Sequence, residues 1–148
     1  MTSILVLNGP NLNLLGTRQT EIYGTHTLAD IEQVCRDEAQ RLSVEIEFQQ
    51  SNSEGGLVDH IHDARGRHDA LILNAGAYTH SSIALRDAIA GTEMPAVEVH
   101  LSNIFARESF RHVSYISPVA IGVICGFGAE VYPLAMQALT RHLTDRQS

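Results

Sequence analysis

Short apolar runs alternate with amphipathic stretches along the whole chain. Residues 3–8 contain the unbroken run Ile4-Leu5-Val6-Leu7 and predict a buried strand. Residues 27–42 place Leu28, Ile31, Val34, Cys35, Ala39 and Leu42 on one stripe, the spacing of a helix with a single inward face, and Thr27 is positioned to cap it. Residues 44–49 alternate apolar and polar, as a strand covered on one face does. Residues 54–66 predict a second helix with Leu57, Val58, Ile61 and Ala64 inward, and 69–74 a third strand centred on Leu71-Ile72-Leu73. A helix over 81–90, strands over 95–101 and 119–125, and a helix over 128–144 complete the series.

Strict alternation of five strands with four or five helices predicts an α/β chain built on a parallel sheet. Right-handed crossovers make the flavodoxin-like, doubly wound order 2-1-3-4-5 the simplest arrangement. No repeat, linker or low-complexity tract interrupts it, so 1–148 is expected to be one domain. The two long stretches without periodicity are 9–26 and 102–118, and loops of that length in a compact domain are usually functional.

Such sheets bind ligands beyond the carboxyl ends of their strands. Polar side chains gather there: Asn8 and Asn11 after the first strand, Asn74, Tyr78 and His80 after the third, and Glu98, His100 and Ser102 at the fourth.

Composition narrows the chemistry. The formal net charge of −7 disfavours nucleic acid as a partner. No run of eighteen apolar residues predicts a membrane span and no leader pattern precedes the first strand, so a cytoplasmic location and no membrane partner are expected. All ten basic residues are arginine, which removes covalent imine chemistry, because a Schiff base needs a lysine amine. Cys35 and Cys125 both lie in apolar settings and read as buried free thiols. His60 and His62 lie two apart, on different sides of a helix, and no metal or other cofactor is expected. Phosphate-loop, dinucleotide-binding and nucleophile-elbow motifs are absent. The glycine-dense segment GVICGFG at 122–128 reads as close strand–helix packing after the last strand.

A phenol serves as a base near neutral pH only when a cation stabilises its phenolate. Arg18 and Tyr23 share one loop and fit that pairing; they also fit a surface arginine and a packing tyrosine. His100 suits a proton donor, with Glu98 on the same strand face to orient it, or a hydrogen-bonded structural histidine. Asn11 and Asn74 offer uncharged donors to an oxyanion or a water, or serve turns. His80-Ser81-Ser82 fits a hydroxyl-binding group and a helix cap at once. Arg107 and Arg111 fit either an anionic or hydroxylated ligand or solvent, and the chain after the fourth strand can present backbone N–H groups to a carboxylate. A flavin-binding module and an oligomeric scaffold remain as alternatives to an enzyme.

Five long segments in fixed order carry a resemblance: LNGPNLNLLGTR at 7–18, YG at 23–24, QSNSEGGLVDHIHDA at 50–64, LNAGAYTHSSIALRDAI at 73–89 and PAVEVHLSNIFARESFRHVSYIS at 95–117. Together the chain resembles the type II 3-dehydroquinate dehydratases, the type II dehydroquinases of the shikimate pathway, from Ile4 to about His142. The resemblance implies a flavodoxin-like fold, a homododecamer built as a tetramer of trimers, and anti elimination of water from 3-dehydroquinate through an enol or enolate. It implies Tyr23 as base, Arg18 as its activator, Asn11 as holder of a water at the enolate, and His100 as acid with Glu98 as its orienting partner. It further implies substrate-hydroxyl contacts from Asn74, His80 and Arg111, carboxylate binding by the backbone N–H groups of Leu101 and Ser102, and an Asp87 supplied by a neighbouring subunit. Arg18-Gln19-Thr20 departs from the family's usual Arg-Glu-Pro, which is expected to loosen the lid. Ala129-Glu130-Val131-Tyr132 lacks a glycine common before that tyrosine and reads as packing.

Overall fold

A computed structural model describes residues 1–147. Five parallel strands form one sheet in the order β2-β1-β3-β4-β5: β1 (Ser3–Asn8), β2 (Glu45–Gln50), β3 (Ala70–Asn74), β4 (Ala96–His100) and β5 (Gly122–Cys125). The helices are α1 (Thr20–Tyr23), α2 (Leu28–Leu42), α3 (Glu54–Ala64), α4 (Ile83–Thr92) and α5 (Val131–Gln147). The predicted flavodoxin-like α/β order is therefore observed.

The three inner strands are buried on both faces, which is why their sequences run apolar rather than alternate. Ile4, Val6, Ile72, Val97 and Val99 face α2 and α5, while Leu5, Leu7, Leu71, Leu73 and Ala96 face α3 and α4. β2 lies at an edge and alternates as expected, with Ile46 and Phe48 packed on the α2 side. Its opposite face carries Glu47, which accepts from Arg67 at 2.7 Å and pairs with His68 at 2.9 Å.

Helix starts follow from their caps. Thr27 accepts from the Asp30 N–H at 3.1 Å while the Asp30 carboxylate accepts from the Thr27 N–H at 3.0 Å, a reciprocal capping box. Ser53 caps α3, and Ser82 rather than Ser81 caps α4. The chain from Gly76 to His80 turns as a 3₁₀ helix first, so α4 begins at Ile83, two residues later than expected.

Three further sequence expectations need correction. Cys35 is fully buried and burial pushes its thiol up to about 12, but Cys125 is only half-buried, because β5 is an edge strand. The 122–128 glycines do not mediate strand–helix packing; the one close approach is between Gly126 and the loop residue Asn103, whose Cβ would lie 3.3 Å from a Cβ on Gly126. Gly122 opens β5 itself and has no neighbour that a Cβ would meet, whereas Gly126 and Gly128 take φ of +100° and +59° in the turn that follows. β5 is also shorter than its predicted 119–125, since residues 117–119 form a 3₁₀ turn.

One close approach fixes how the chain leaves β1. Gly9 donates its N–H to the Asn74 carbonyl at 2.7 Å, and a Cβ on Gly9 would lie 2.5 Å from the Ala75 carbonyl oxygen. Only backbone fits between these two strand ends. Gly9→Ala is expected to destabilise the fold by about 1–3 kcal/mol, the cost of overpacking, read as a lower urea midpoint at unchanged m-value.

Candidate active site

A polar cleft of about 140 Å³ opens beyond the carboxyl ends of β1, β3 and β4. This is the switch point of the sheet, where strand order reverses. Its walls include Asn11, Arg18, Tyr23, Asn74, His80, His100, Leu101, Ser102, Arg107 and Arg111. Three arginines and no Asp or Glu line it, so the cleft favours an anion although the chain carries −7 overall.

The floor is a buried amide–phenol chain. Asn8 and Asn74 end adjacent paired strands in register. Tyr132 of α5 donates its hydroxyl to Asn8 Oδ1 at 2.6 Å and accepts from Asn74 Nδ2 at 3.0 Å. Asn8 Nδ2 donates to the Gln49 carbonyl at 3.1 Å, and Asn74 Oδ1 accepts from the Gly76 N–H at 3.3 Å. Burial pushes the Tyr132 phenol upward, which keeps it neutral and able to donate and accept at once. Tyr132 is thus the anchor that fixes the Asn74 amide, not packing alone.

Asn11 sits at φ +68°, a left-handed conformation that asparagine tolerates. Its N–H donates to Asn52 Oδ1 at 3.0 Å, which also accepts from Gln50 Nε2 at 3.1 Å, so the loop is pinned to the end of β2.

On β4, Glu98 and His100 point to one side, and His100 Nε2 lies 2.5 Å from Glu98 Oε2. Glu98 is 1% exposed, and its other oxygen accepts from Ser114 at 2.9 Å and Ser117 at 2.6 Å. Burial alone would raise this carboxyl. The hydrogen bonds of His100 and Ser117, the charge of His100 and the Ser114 bond together outweigh burial and hold it below the usual carboxylate range. The His80 ring stacks near His100, centroids 6.3 Å apart and 18° from parallel. His80 Nδ1 lies 2.7 Å from the Val113 carbonyl, which only accepts, so Nδ1 carries the hydrogen.

Two guanidiniums lie close to the Tyr23 ring. The carbon of Arg18 sits 5.0 Å, and that of Arg107 5.1 Å, from its ring centroid. Arg107, not Arg18, reaches the phenol oxygen: its Nη1 donates to Tyr23 at 2.9 Å and approaches Ser102 Oγ at 3.4 Å. Arg18 Nη1 instead donates to Gln19 Oε1 at 3.2 Å. Arg18 Nε and Arg107 Nε are buried without a hydrogen-bond acceptor, although a Glu108 oxygen lies 3.8 Å from the latter. Arg111 is half-buried and donates to Glu108 at 2.9 Å.

The cleft therefore gathers Asn11, Arg18, Tyr23, Asn74, His80, His100, Leu101, Ser102 and Arg111, with Glu98 directly behind His100. Asp87 stands apart: it is exposed on α4 and accepts from Arg86 at 3.0 Å. Arg107 was open to a ligand-contact or a solvated reading. Its contact with Tyr23, 84 residues away, leaves no local pattern in the sequence. The serine donors to Glu98 carried no signal of their own either.

The family model described as dehydroquinase class II matches residues 2–140. The chain belongs to that family. A 3-dehydroquinate dehydratase of Dinoroseobacter shibae is 63% identical over 145 residues, covering 98% of this chain and 97% of that protein. A similar relative from Ruegeria pomeroyi is 63% identical over 144 residues, covering 97% of each. The crystal structure of a type II dehydroquinase from Butyrivibrio crossotus superposes with a TM-score of 0.92 at 41% identity, covering 93% of this chain and 97% of that one.

In this dehydroquinase chain the buried floor has a measurable cost of disruption. Tyr132→Phe leaves Asn74 Nδ2 and Asn8 Oδ1 without their shared partner. Unfolding in urea is expected to show a loss of about 1–3 kcal/mol, the penalty of unsatisfied buried polar groups; an unchanged midpoint would show the chain of bonds to be unimportant.

Proposed function

We propose that this chain dehydrates 3-dehydroquinate to 3-dehydroshikimate in the cytoplasm, as one catalytic domain of a homododecamer, without an imine or a cofactor. The observation that carries the assignment of roles is the Tyr23 oxygen held 2.9 Å from Arg107 Nη1 in the cleft that also contains His100.

The substrate has a ketone at C3 and a leaving hydroxyl at C1, so the hydrogen to be removed lies between them on C2. Tyr23, as phenolate, takes that hydrogen. Arg107 donates to the phenol oxygen and Arg18 lies over the ring; both stabilise negative charge there. The electrons of the C2–H bond move onto the ketone oxygen. Asn11 holds a water that donates to the developing enolate. The enolate then collapses, a C1–C2 double bond forms, and the C1–O bond breaks. His100, as imidazolium, gives its proton to the departing hydroxyl, which leaves as water. Tyr23 ends protonated and His100 neutral, and solvent exchange restores both.

The arginine-lined cleft suits the substrate carboxylate, which the N–H groups of Leu101 and Ser102 receive after β4. Asn74, His80 and Arg111 are left for the ring hydroxyls. Asp87, exposed and outside the cleft of its own chain, is available to a neighbouring subunit's site.

Growth of the conjugated enone absorbance on adding 3-dehydroquinate tests the activity directly. Tyr23→Phe is expected to fold normally and to lose at least about 10³-fold in kcat, the scale of general acid–base catalysis; near-normal turnover would remove Tyr23 from the role of base. Borohydride added during turnover is expected to leave the protein mass unchanged. A substrate adduct in the mass spectrum would overturn the route without an imine.

A further inference from the structure

Glu98 has two oxygens in different surroundings. Oε2 faces His100 Nε2 at 2.5 Å, and Oε1 faces two hydroxyls, Ser114 at 2.9 Å and Ser117 at 2.6 Å. The Ser114 oxygen also accepts the N–H groups of Ile116 at 3.1 Å and Ser117 at 3.0 Å. With two donors already on that oxygen, its own hydrogen is the one group left to point elsewhere, and the partner in reach is Glu98 Oε1. Ser114 is therefore a fixed donor. Oε1, receiving it together with Ser117, is an acceptor and has no room for a proton.

We propose that Ser114 and Ser117 are positioning residues for the elimination: by making Oε1 an obligatory acceptor, they confine any proton of the acid–imidazole pair to the Oε2–Nε2 line and so direct His100 to present Nδ1 to the cleft. The inference rests on His100 as the proton donor and says how that donor is set. Nε2–H is committed to Glu98, so Nδ1 is the nitrogen that delivers the proton, and it carries one only when the ring is an imidazolium. An imidazolium beside Glu98 requires the carboxylate ionised, which is the state two hydroxyl donors favour. The same logic, a carboxylate fixing the tautomer of a working histidine, recurs wherever imidazole chemistry is oriented from behind.

The other charged or titratable groups around the pair are His80, stacked on the imidazole, and Arg18, Tyr23, Arg107 and Arg111 in the cleft. Among the described residues none of these bonds Oε1. The two serines come from the segment after the fourth strand, from Ser114 to the 3₁₀ turn Ser117–Val119, so the donor set is built by a loop rather than by the sheet.

Ser117→Ala is the clean variant, because that hydroxyl bonds Glu98 and supports no turn. The double variant Ser114→Ala/Ser117→Ala removes both donors but also two turn bonds. In each, nitrogen-15 NMR of the histidines reads the His100 tautomer, and steady-state kinetics across pH reads its use. The expected result for Ser117→Ala is a mixed His100 tautomer, a fall in kcat on the order of 10- to 100-fold with KM changed little, and an alkaline limb of the kcat profile moved to higher pH, because a carboxylate with one donor fewer holds the proton it shares with His100 more tightly. Ser117→Thr, which keeps the hydroxyl, is expected to restore all three.

An unaltered tautomer and profile in Ser117→Ala would overturn the proposal, as would a double variant that folds and keeps wild-type kcat. His100→Ala separates this from the reading beneath it. If His100→Ala is inactive while the serine variants behave as wild type, the serines are structural and His100 remains the acid. If His100→Ala keeps full activity, the acid assignment falls and this proposal falls with it.

Discussion

Asn8, Asn74, Glu98 and His100 are buried at the ends of strands whose other buried residues are apolar, and a polar group taken out of water without a partner costs about 1–3 kcal/mol. Three of them take partners from elsewhere in the chain, and His100 is held by Glu98, two residues before it on the same strand. Asn8 and Asn74 share the Tyr132 hydroxyl from the terminal helix; Glu98 takes two serine hydroxyls from the 102–118 segment and the imidazole of His100. The requirement that buried polar atoms be satisfied ties α5 and the long loop to the strand ends, and the rigidity of the cleft follows from it. The same bonds that keep these residues inside the protein also fix where their reactive atoms point.

Charge is arranged on two scales that oppose each other. The chain is acidic overall, yet its cleft is walled by arginine with no carboxylate facing in. The carboxylate nearest the chemistry, Glu98, is screened behind His100, and Glu108 bonds Arg111 from an exposed position outside the lining. Within roughly a Debye length, about 8 Å at physiological salt, the local arrangement decides what binds, and the distant acidic surface matters little. A lysine-free chain gains a further property here. Guanidinium stays protonated throughout the working range and presents planar, multiple donors, so one arginine can hold a phenol oxygen and a neighbouring hydroxyl together, as Arg107 does.

The sheet was legible because its signals are local. The run Ile4–Leu7, the stripe from Leu28 to Leu42 and the alternation over 44–49 are each contained within one element. Polar residues ending three strands pointed to the rim for the same reason. What escaped depends on tertiary approach. Arg107 meets Tyr23 across 84 residues, and Tyr132 meets Asn8 across 124; neither distance leaves a periodic trace. Tyr132 read as packing because a buried tyrosine on a helix face looks apolar until its hydroxyl is given a partner. Cys125 and the 122–128 glycines were misjudged through one cause: β5 is an edge strand, and nothing in GVICGFG distinguishes an edge from an interior strand. The resemblance from Ile4 to about His142 named the family where local physics reached only a fold and a rim, and the family model matches residues 2–140.

The two halves of the cleft differ in how they are held. Asn74, Glu98 and His100 belong to inner strands covered on both faces. Tyr23 belongs to α1, a helix of four residues with none buried, entered through Gln19 at φ +43° and left through Gly24 at φ +82°. A helix that short cannot stand by its own hydrogen bonds. Its position depends on contacts of its side chains, and for Tyr23 those are the two guanidiniums and the apolar edge beneath the ring. The bond from Arg107 consequently does two things at once: it holds the segment in place and it supplies positive charge at the phenol oxygen. In the reaction proposed above, Tyr23 as the base and His100 as the acid are not equivalent partners. The acid is built into the sheet, whereas the base is complete only while the segment that carries it is docked, so the geometry of the reaction and the stability of that docking are one quantity.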